Sequence, residues 1–220
     1  MIKALLLIFD PNRTWDGIIR ARRSLVSILL VYLLPMLLLL SAWEAYGLTH
    51  WGKWQGDGLL SKLKKLEHQI PRLKTFTPGE AAVAETAQLL LSLAVVFVGA
   101  TLVKSVGETF RGRHTYIQAF TAVAYGLGPF FLLRVLDAFP AVSPWASWAI
   151  GMILSTAVLY QGVPRAMEPD PSHAFGVYLM SAVLLALITA LARFVTSSYL
   201  EGEFPGIEAI VAGLTDRLPA

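Results

Sequence analysis

The sequence has no cysteine and little charge. Only 15% of its 220 residues are Asp, Glu, Lys or Arg, where a soluble domain carries about 25%. The lack of cysteine excludes a disulfide framework and thiolate metal sites. Histidine is scarce: His50, His68, His114 and His173 are scattered, and none pairs at helical spacing beside an acid, as zinc hydrolases require. There is no G-x-S-x-G elbow, no glycine-rich loop feeding a lysine, and no second carboxylate facing Asp137 within a span. These absences point to a non-enzymatic protein with no cofactor and no bound metal. Solenoid-length repeats, low-complexity tracts and a second domain are also missing, so residues 1–220 read as one unit.

Apolar residues dominate instead, at 55% of the chain with a mean hydropathy of +0.60. A bilayer core of about 30 Å, at 1.5 Å per residue, needs about twenty apolar residues to cross as a helix. Five stretches qualify: 24–43, the segments between Glu85 and Lys104, His114 and Arg134, and Pro144 and Pro164, and 174–192, extendable to Leu200. They are too long and too weakly alternating for barrel strands, and a lipid-exposed chain must satisfy its own backbone groups. The predicted fold is an all-α integral membrane protein, a bundle of five transmembrane helices.

The net charge of +3 does not gather on one soluble face, which argues against nucleic acid. Basic residues flank the spans, so anionic lipid headgroups are the expected counterpart. Arg20, Arg22 and Arg23 stand just before the first span; with Arg111, Arg113 and Arg165 they form a basic rim for lipid or partner contact. The positive-inside rule then places the amino terminus in the cytoplasm and the tail 201–220 outside. "MIKALLLIF" is too short to cross and lacks a small-residue cleavage site, so residues 1–23 are expected to be retained as a basic, amphipathic cytoplasmic segment. Within it Thr14 is the expected helix cap, Asp16 sits in the first turn, and Trp15 can lie in the interface.

The external loop 48–83 is the exception to the charge rule, carrying several lysines. Leu59, Leu63, Leu66 and Ile70 recur there at helical spacing opposite Lys62, Lys64 and Lys65. That pattern predicts a basic amphipathic helix lying in the headgroups, with Trp51 and Trp54 as anchors, or else a helix for a soluble partner.

Helices in lipid associate where small side chains let backbones approach. Ser147, Gly151 and Ser155 form such a stripe on span four, and Ala182, Ala186 and Ala190 form one on span five, so a close contact between the two is predicted. Pro35 predicts a kink in span one. In span three, Pro129 cannot donate to the carbonyl of Tyr125, and Gly126 and Gly128 ease a bend, so Tyr125, Gly126, Gly128 and Pro129 mark a candidate hinge just past mid-bilayer. Beyond it Arg134 and Asp137, three residues apart, can pair. The five-span topology brings Glu44, Glu85, Arg134, Asp137 and Arg193 to one outer level. Two arrangements are open there: terminal charges snorkelling into headgroups, or an interhelical polar layer that fixes the bundle. Gln88, Gln118, Thr156 and Gln161 read as interhelical hydrogen-bonding residues.

"FDPNRTWDGI" before the first span, "RGRHTYIQAFTAVAYGLGPFFL" entering the third and "LYQGVPRAMEPDPSHAFGVYLMSAVL" joining the fourth to the fifth resemble the Yip domain, named for Ypt and Rab interaction, in its bacterial form. The resemblance covers nearly the whole chain. It implies five spans, a cytosolic amino terminus and a short external tail, in a bacterial inner membrane. In eukaryotes the family acts in vesicle trafficking, binding lipidated small GTPases and other family members; the large first loop here departs from those members. The expected role is a scaffold that organises lipids, other membrane proteins or copies of itself. A small-solute or lipid transporter working through the kinked third span is the alternative.

Overall fold

The computed structural model describes residues 2–55, 72–110, 114–204 and 213. Among them the helices are α1 (Ile2–Phe9), α2 (Pro11–Arg20), α3 (Leu25–His50), α4 (Pro78–Thr109), α5 (Tyr116–Gly126), α6 (Gly128–Leu133), α7 (Pro144–Met167) and α8 (Ala174–Leu200). A 3-10 turn, Arg134–Ala138, continues α6. Strands β1 (Lys53–Gln55) and β2 (Arg72–Lys74) pair antiparallel, Lys53 opposite Lys74. Five helical segments are long and apolar enough to cross a membrane: α3, α4, α5 with α6 and its 3-10 turn, α7 and α8. Their outer faces carry exposed Leu30, Leu38, Ile153 and Leu187, the surface a bilayer would cover. The protein is an all-α multi-pass membrane protein.

Local sequence sets where each span begins. The Ser24 hydroxyl accepts from the Ser27 amide ahead of α3. Thr77 and Glu80 form a reciprocal capping box with Pro78 in the first turn, and Thr115 and Gln118 form another. The first box starts α4 early, so Glu85 lies two turns inside the helix instead of at its edge. The predicted amphipathic helix of the first loop falls in 56–71, outside the described residues, as does the tail beyond 204 except Gly213. The described ends of that loop form the ribbon, which periodicity did not indicate.

Pro35 acts through a wider turn. Its ring crowds the carbonyl four residues back and it has no N–H, and a π-helical segment, Leu29–Leu33, takes up the mismatch immediately before it. In span three the break falls at Leu127. Helix α6 begins there with donors that lack helical partners, Pro129 supplies one fewer, and the Phe130 amide donates to Ser155 Oγ of α7 at 3.0 Å. Residues 122–129 are all buried, which makes the broken span the centre of the core.

Gly151 and Ser155 of the α7 stripe meet this break. A Cβ on Gly151 would lie 3.1 Å from the Phe130 Cα, and Ser155 is bonded to Phe130. The orphan amide draws Ser155 to its side of the helix. Polar contact between α7 and α8 runs through Trp148 Nε1 donating to Thr189 Oγ at 3.3 Å and through Arg193 donating to Ser147 Oγ at 2.8 Å. Ala182 is buried, while Ala186 and Ala190 are half-buried.

The amino-terminal segment also differs from its predicted place. Asp10, not Thr14, caps α2 by accepting from the Arg13 amide, and the Thr14 hydroxyl donates to the Asp10 carbonyl. Trp15 is fully buried; its indole N–H donates to Val158 O at 3.2 Å and its ring fills the space a side chain on Gly162 would take. Helix α1 lies against the break: a Cβ on Gly128 would sit 3.1 Å from the Ala4 Cβ. Ala4 and Leu7 are buried, while Ile2 and Phe9 are 75% and 83% exposed, an apolar outer face suited to hydrocarbon. Residues 2–9 thus lie beside the broken span instead of beyond the end of the bundle.

Candidate functional site

The buried charges gather at the end of the bundle where α3 finishes and α4 starts. Arg134, on the 3-10 turn, donates through Nη2 to Glu44 Oε2 of α3 at 2.7 Å and lies 3.5 Å from Glu85 Oε2 of α4. Its Nη1 donates to Ser92 Oγ at 3.2 Å. Gln88 Nε2 donates to the same Glu44 oxygen at 2.7 Å. A few residues on, Asp137 Oδ1 is paired with Arg193 of α8 and accepts from the Ser147 hydroxyl of α7. Arg193 also donates to Ser147 Oγ at 2.8 Å and, through Nε, to Pro144 O at 3.0 Å. All five spans contribute a side chain.

The 3-10 turn explains how neighbours in sequence serve different helices. Arg134 and Asp137 do not pair with each other: each finds an opposite charge across the bundle, where desolvation makes the partner count for more than chain proximity. Glu44, Asp137 and Arg134 are 1%, 2% and 5% exposed, so these side chains do not snorkel into headgroups. Sequence reasoning brought Glu44, Glu85, Arg134, Asp137 and Arg193 to one level; it did not see Lys53. Gly52, at φ +72°, turns the chain back at the start of the ribbon, and Lys53 Nζ donates to Asp137 O at 2.8 Å in a buried setting. Burial pushes the Lys53 ammonium below its ordinary value, against the opposing pull of Asp137 and Glu44. Three carboxylates and three basic groups leave the network formally neutral.

Space inside it is small. A cavity of about 30 Å³ is lined by Gln88, Ser92, Phe131, Arg134, Thr189 and Arg193 among others, room for about one water. Arg134, which lines it, has an Nε with no hydrogen-bond partner among the described residues, a group that one water would satisfy. Among the described residues no group of three or more His, Asp or Glu side chains is placed to hold a metal ion. Around the network's rim Trp43, Trp51 and Phe139 pack together, with Trp51 stacked on Phe139 at 5.0 Å, an aromatic girdle of the kind found at membrane interfaces.

The candidate hinge residues Tyr125, Gly126, Gly128 and Pro129 are all buried. A Cβ on Gly126 would overlap the Leu159 side chain, and Tyr32 stacks on Tyr125 at 4.3 Å. Of the lone polar residues, Gln88 bonds between helices, but Gln118 closes its own cap, Thr156 bonds to the Ile153 carbonyl and Gln161 to Arg165 of the same helix.

The basic residues at the opposite end divide into two kinds. Arg165 is a clamp, 3.5 Å from Asp16 and bonded to Asn12 at 2.7 Å, holding α2 on α7. Arg20 and Arg22 are exposed, Arg23 is half-buried, and Arg111 and Arg113 lie outside the described residues. The model of the Yip1 domain family matches residues 5–201, nearly the whole chain. No curated protein and no solved structure matches it.

Proposed function

The chain belongs to the Yip1 domain family, and we propose that it serves as a non-enzymatic adaptor in a bacterial inner membrane, organising lipids or other membrane proteins, itself included. The end carrying Arg20, Arg22 and Arg23 faces the cytoplasm in this reading, and the ion network lies toward the outside, in accord with the positive-inside rule. The observation that carries it is the closed interior: a formally neutral network ties all five spans together around a space for about one water, and residues 122–129 around the break are all buried. A rigid bundle of that kind offers partners its faces and its rim, not a path.

The break at Leu127 favours one competing reading, transport of a small solute or lipid through span three, since interrupted helices at mid-depth mark transporter sites. The donors freed by the break are here taken up by Ser155, and Leu159 closes on Gly126. Two measurements separate the readings. Photo-crosslinkers placed at Arg20 in native membranes should yield a defined protein adduct, reduced when Arg111 and Arg113 are changed to Gln, and proteoliposomes should show no solute flux. Flux that is lost on filling the break with Gly126→Leu, together with no adduct, would overturn the adaptor role.

A further inference from the structure

A second cavity, of about 620 Å³, opens at the basic end, between the end of α2, the start of α3, the first turns of α5 and the end of α7. That is within the size range of ligand sites. Arg22, Arg23, Ser24, Thr115, Gln118 and Tyr125 supply its polar lining, together with Glu168; Ile18, Ile28 and Ile117 supply much of the rest. Three features set it apart from an incidental groove. Arg22 and Arg23 have no ion pair among the described residues, in contrast to Arg134, Arg165 and Arg193 of the same chain. The Tyr125 side chain lines it and is itself fully buried, with its hydroxyl within reach of Arg23. The two non-glycine residues with left-handed backbone among the described residues, Arg22 at φ 39° and Glu168 at φ 47°, both line it. Glycine would meet both turns with less strain, so a charged side chain at each is a use of the position, not a demand of the backbone.

We propose that this cavity binds the phosphate of an anionic phospholipid. Arg22 and Arg23 face the phosphate with charge-assisted hydrogen bonds, and Tyr125 donates from below. Ser24 and Thr115 cap α3 and α5, so two helix amino termini add their positive ends at the same place. Lys3, with Nζ 5.9 Å from the Tyr125 ring centroid, adds a further cation nearby. Glu168 leaves the lining with one net positive charge, which selects a phosphodiester anion over a zwitterionic headgroup. The apolar wall continues onto exposed Ile117 of α5 and Val26 and Leu30 of α3, a route along which acyl chains reach the bilayer. A free phosphate ester shares the headgroup chemistry but leaves that wall unused. The proposal rests on the membrane setting, not on the adaptor role: its failure would leave protein partners untouched, and the flux and crosslinking measurements above do not probe it.

Native mass spectrometry of the full chain in detergent, titrated with phosphatidylglycerol, tests it. One lipid should be retained per chain, with phosphatidylcholine of the same acyl chains at least about tenfold weaker. Arg22→Gly removes the guanidinium while relieving the backbone, so it should unfold no more readily than the unmodified chain yet weaken phosphatidylglycerol about tenfold. Arg23→Gln should act in the same direction, and Arg20→Gln, an exposed neighbour outside the cavity, should stay within about twofold. Equal loss from Arg20→Gln, or binding that survives the Arg22→Gly, Arg23→Gln pair, would overturn the site. Glycerol 3-phosphate holding as tightly as the phospholipid would assign the cavity to a soluble phosphate and overturn the lipid.

Discussion

Arg134→Met is the most informative perturbation of the ion network, because it removes the one cation between Glu44 and Glu85. At an effective dielectric of about 20, unit charges at 2.7 and 3.5 Å attract by roughly 6 and 5 kcal/mol. Desolvation of three buried ions, at several kcal/mol each, offsets most of that sum, so the intact cluster contributes little net stability. The mutant keeps the desolvation and loses the attraction, with two carboxylates left facing each other. The expected cost is about 3–5 kcal/mol. The same logic predicts rescue. When Glu44→Gln and Glu85→Gln accompany Arg134→Met, no charge remains to be compensated, Gln88 keeps an amide oxygen to donate to, and stability should return to within about 1–2 kcal/mol of the starting protein. Unfolding in mixed micelles by SDS titration, followed by tryptophan fluorescence, reads both. A single mutant losing under about 1 kcal/mol, or a triple mutant no better than the single, would refute the reasoning, because either result means the carboxylates are stabilised by something other than Arg134.

Three further outcomes follow from particular contacts. Gly162→Ala should displace the Trp15 ring and undock α2 at a cost of about 1–3 kcal/mol, seen as faster hydrogen exchange in α2 with α8 unchanged. Ser155→Ala leaves the Phe130 amide without an acceptor at the break; a loss of about 1–3 kcal/mol and faster exchange at that amide are expected, whereas Ser155→Thr should retain the bond. Lys53 has a lowered folded value against an ordinary 10.5, so between those values the unfolded chain binds more protons and stability should rise with pH. Lys53→Met abolishes that slope, and the pH dependence of the difference between the two proteins measures it.

The positions of the spans were legible because apolar length is a property of the chain itself, and so was the break, since Pro129 removes its own donor wherever it is placed. The shared level of Glu44, Glu85, Arg134, Asp137 and Arg193 followed from counting crossings. Their pairing did not, because it depends on the rotation of each helix about its axis, and a 3-10 turn, which spacing does not reveal, sets the rotation of Arg134 relative to Asp137. Lys53 was hidden for another reason. It reads as one more loop lysine until Gly52, at φ +72°, is known to fold it back over Asp137. Trp15 was placed in the interface on its residue type, but the deciding feature is Gly162, almost 150 positions away, which leaves a slot for the ring.

The two ends of the bundle spend their charges differently, and the difference locates function. At the Arg134 end three carboxylates and two arginines are buried and mutually paired and Lys53 is held by the Asp137 carbonyl, so an incoming ion would have to displace a partner already at 2.7 Å. Such a site resists ligands and fixes helix positions. At the Arg22 end Arg22 and Arg23 have no ion pair among the described residues, and one backbone turn on each side of the cavity is left-handed. An anion entering there meets guanidiniums that no carboxylate among the described residues has already paired, so binding displaces no internal partner. If the closed network makes the bundle rigid, occupancy of that cavity is communicated to partners only through the rim itself, through Arg20, Arg22 and the α2 surface held by Arg165 on Asp16 and Asn12. Asp16→Asn with Asn12→Ala should therefore loosen α2 and weaken partner crosslinking at Arg20, while Arg134→Met combined with its two glutamine partners leaves that crosslinking unchanged.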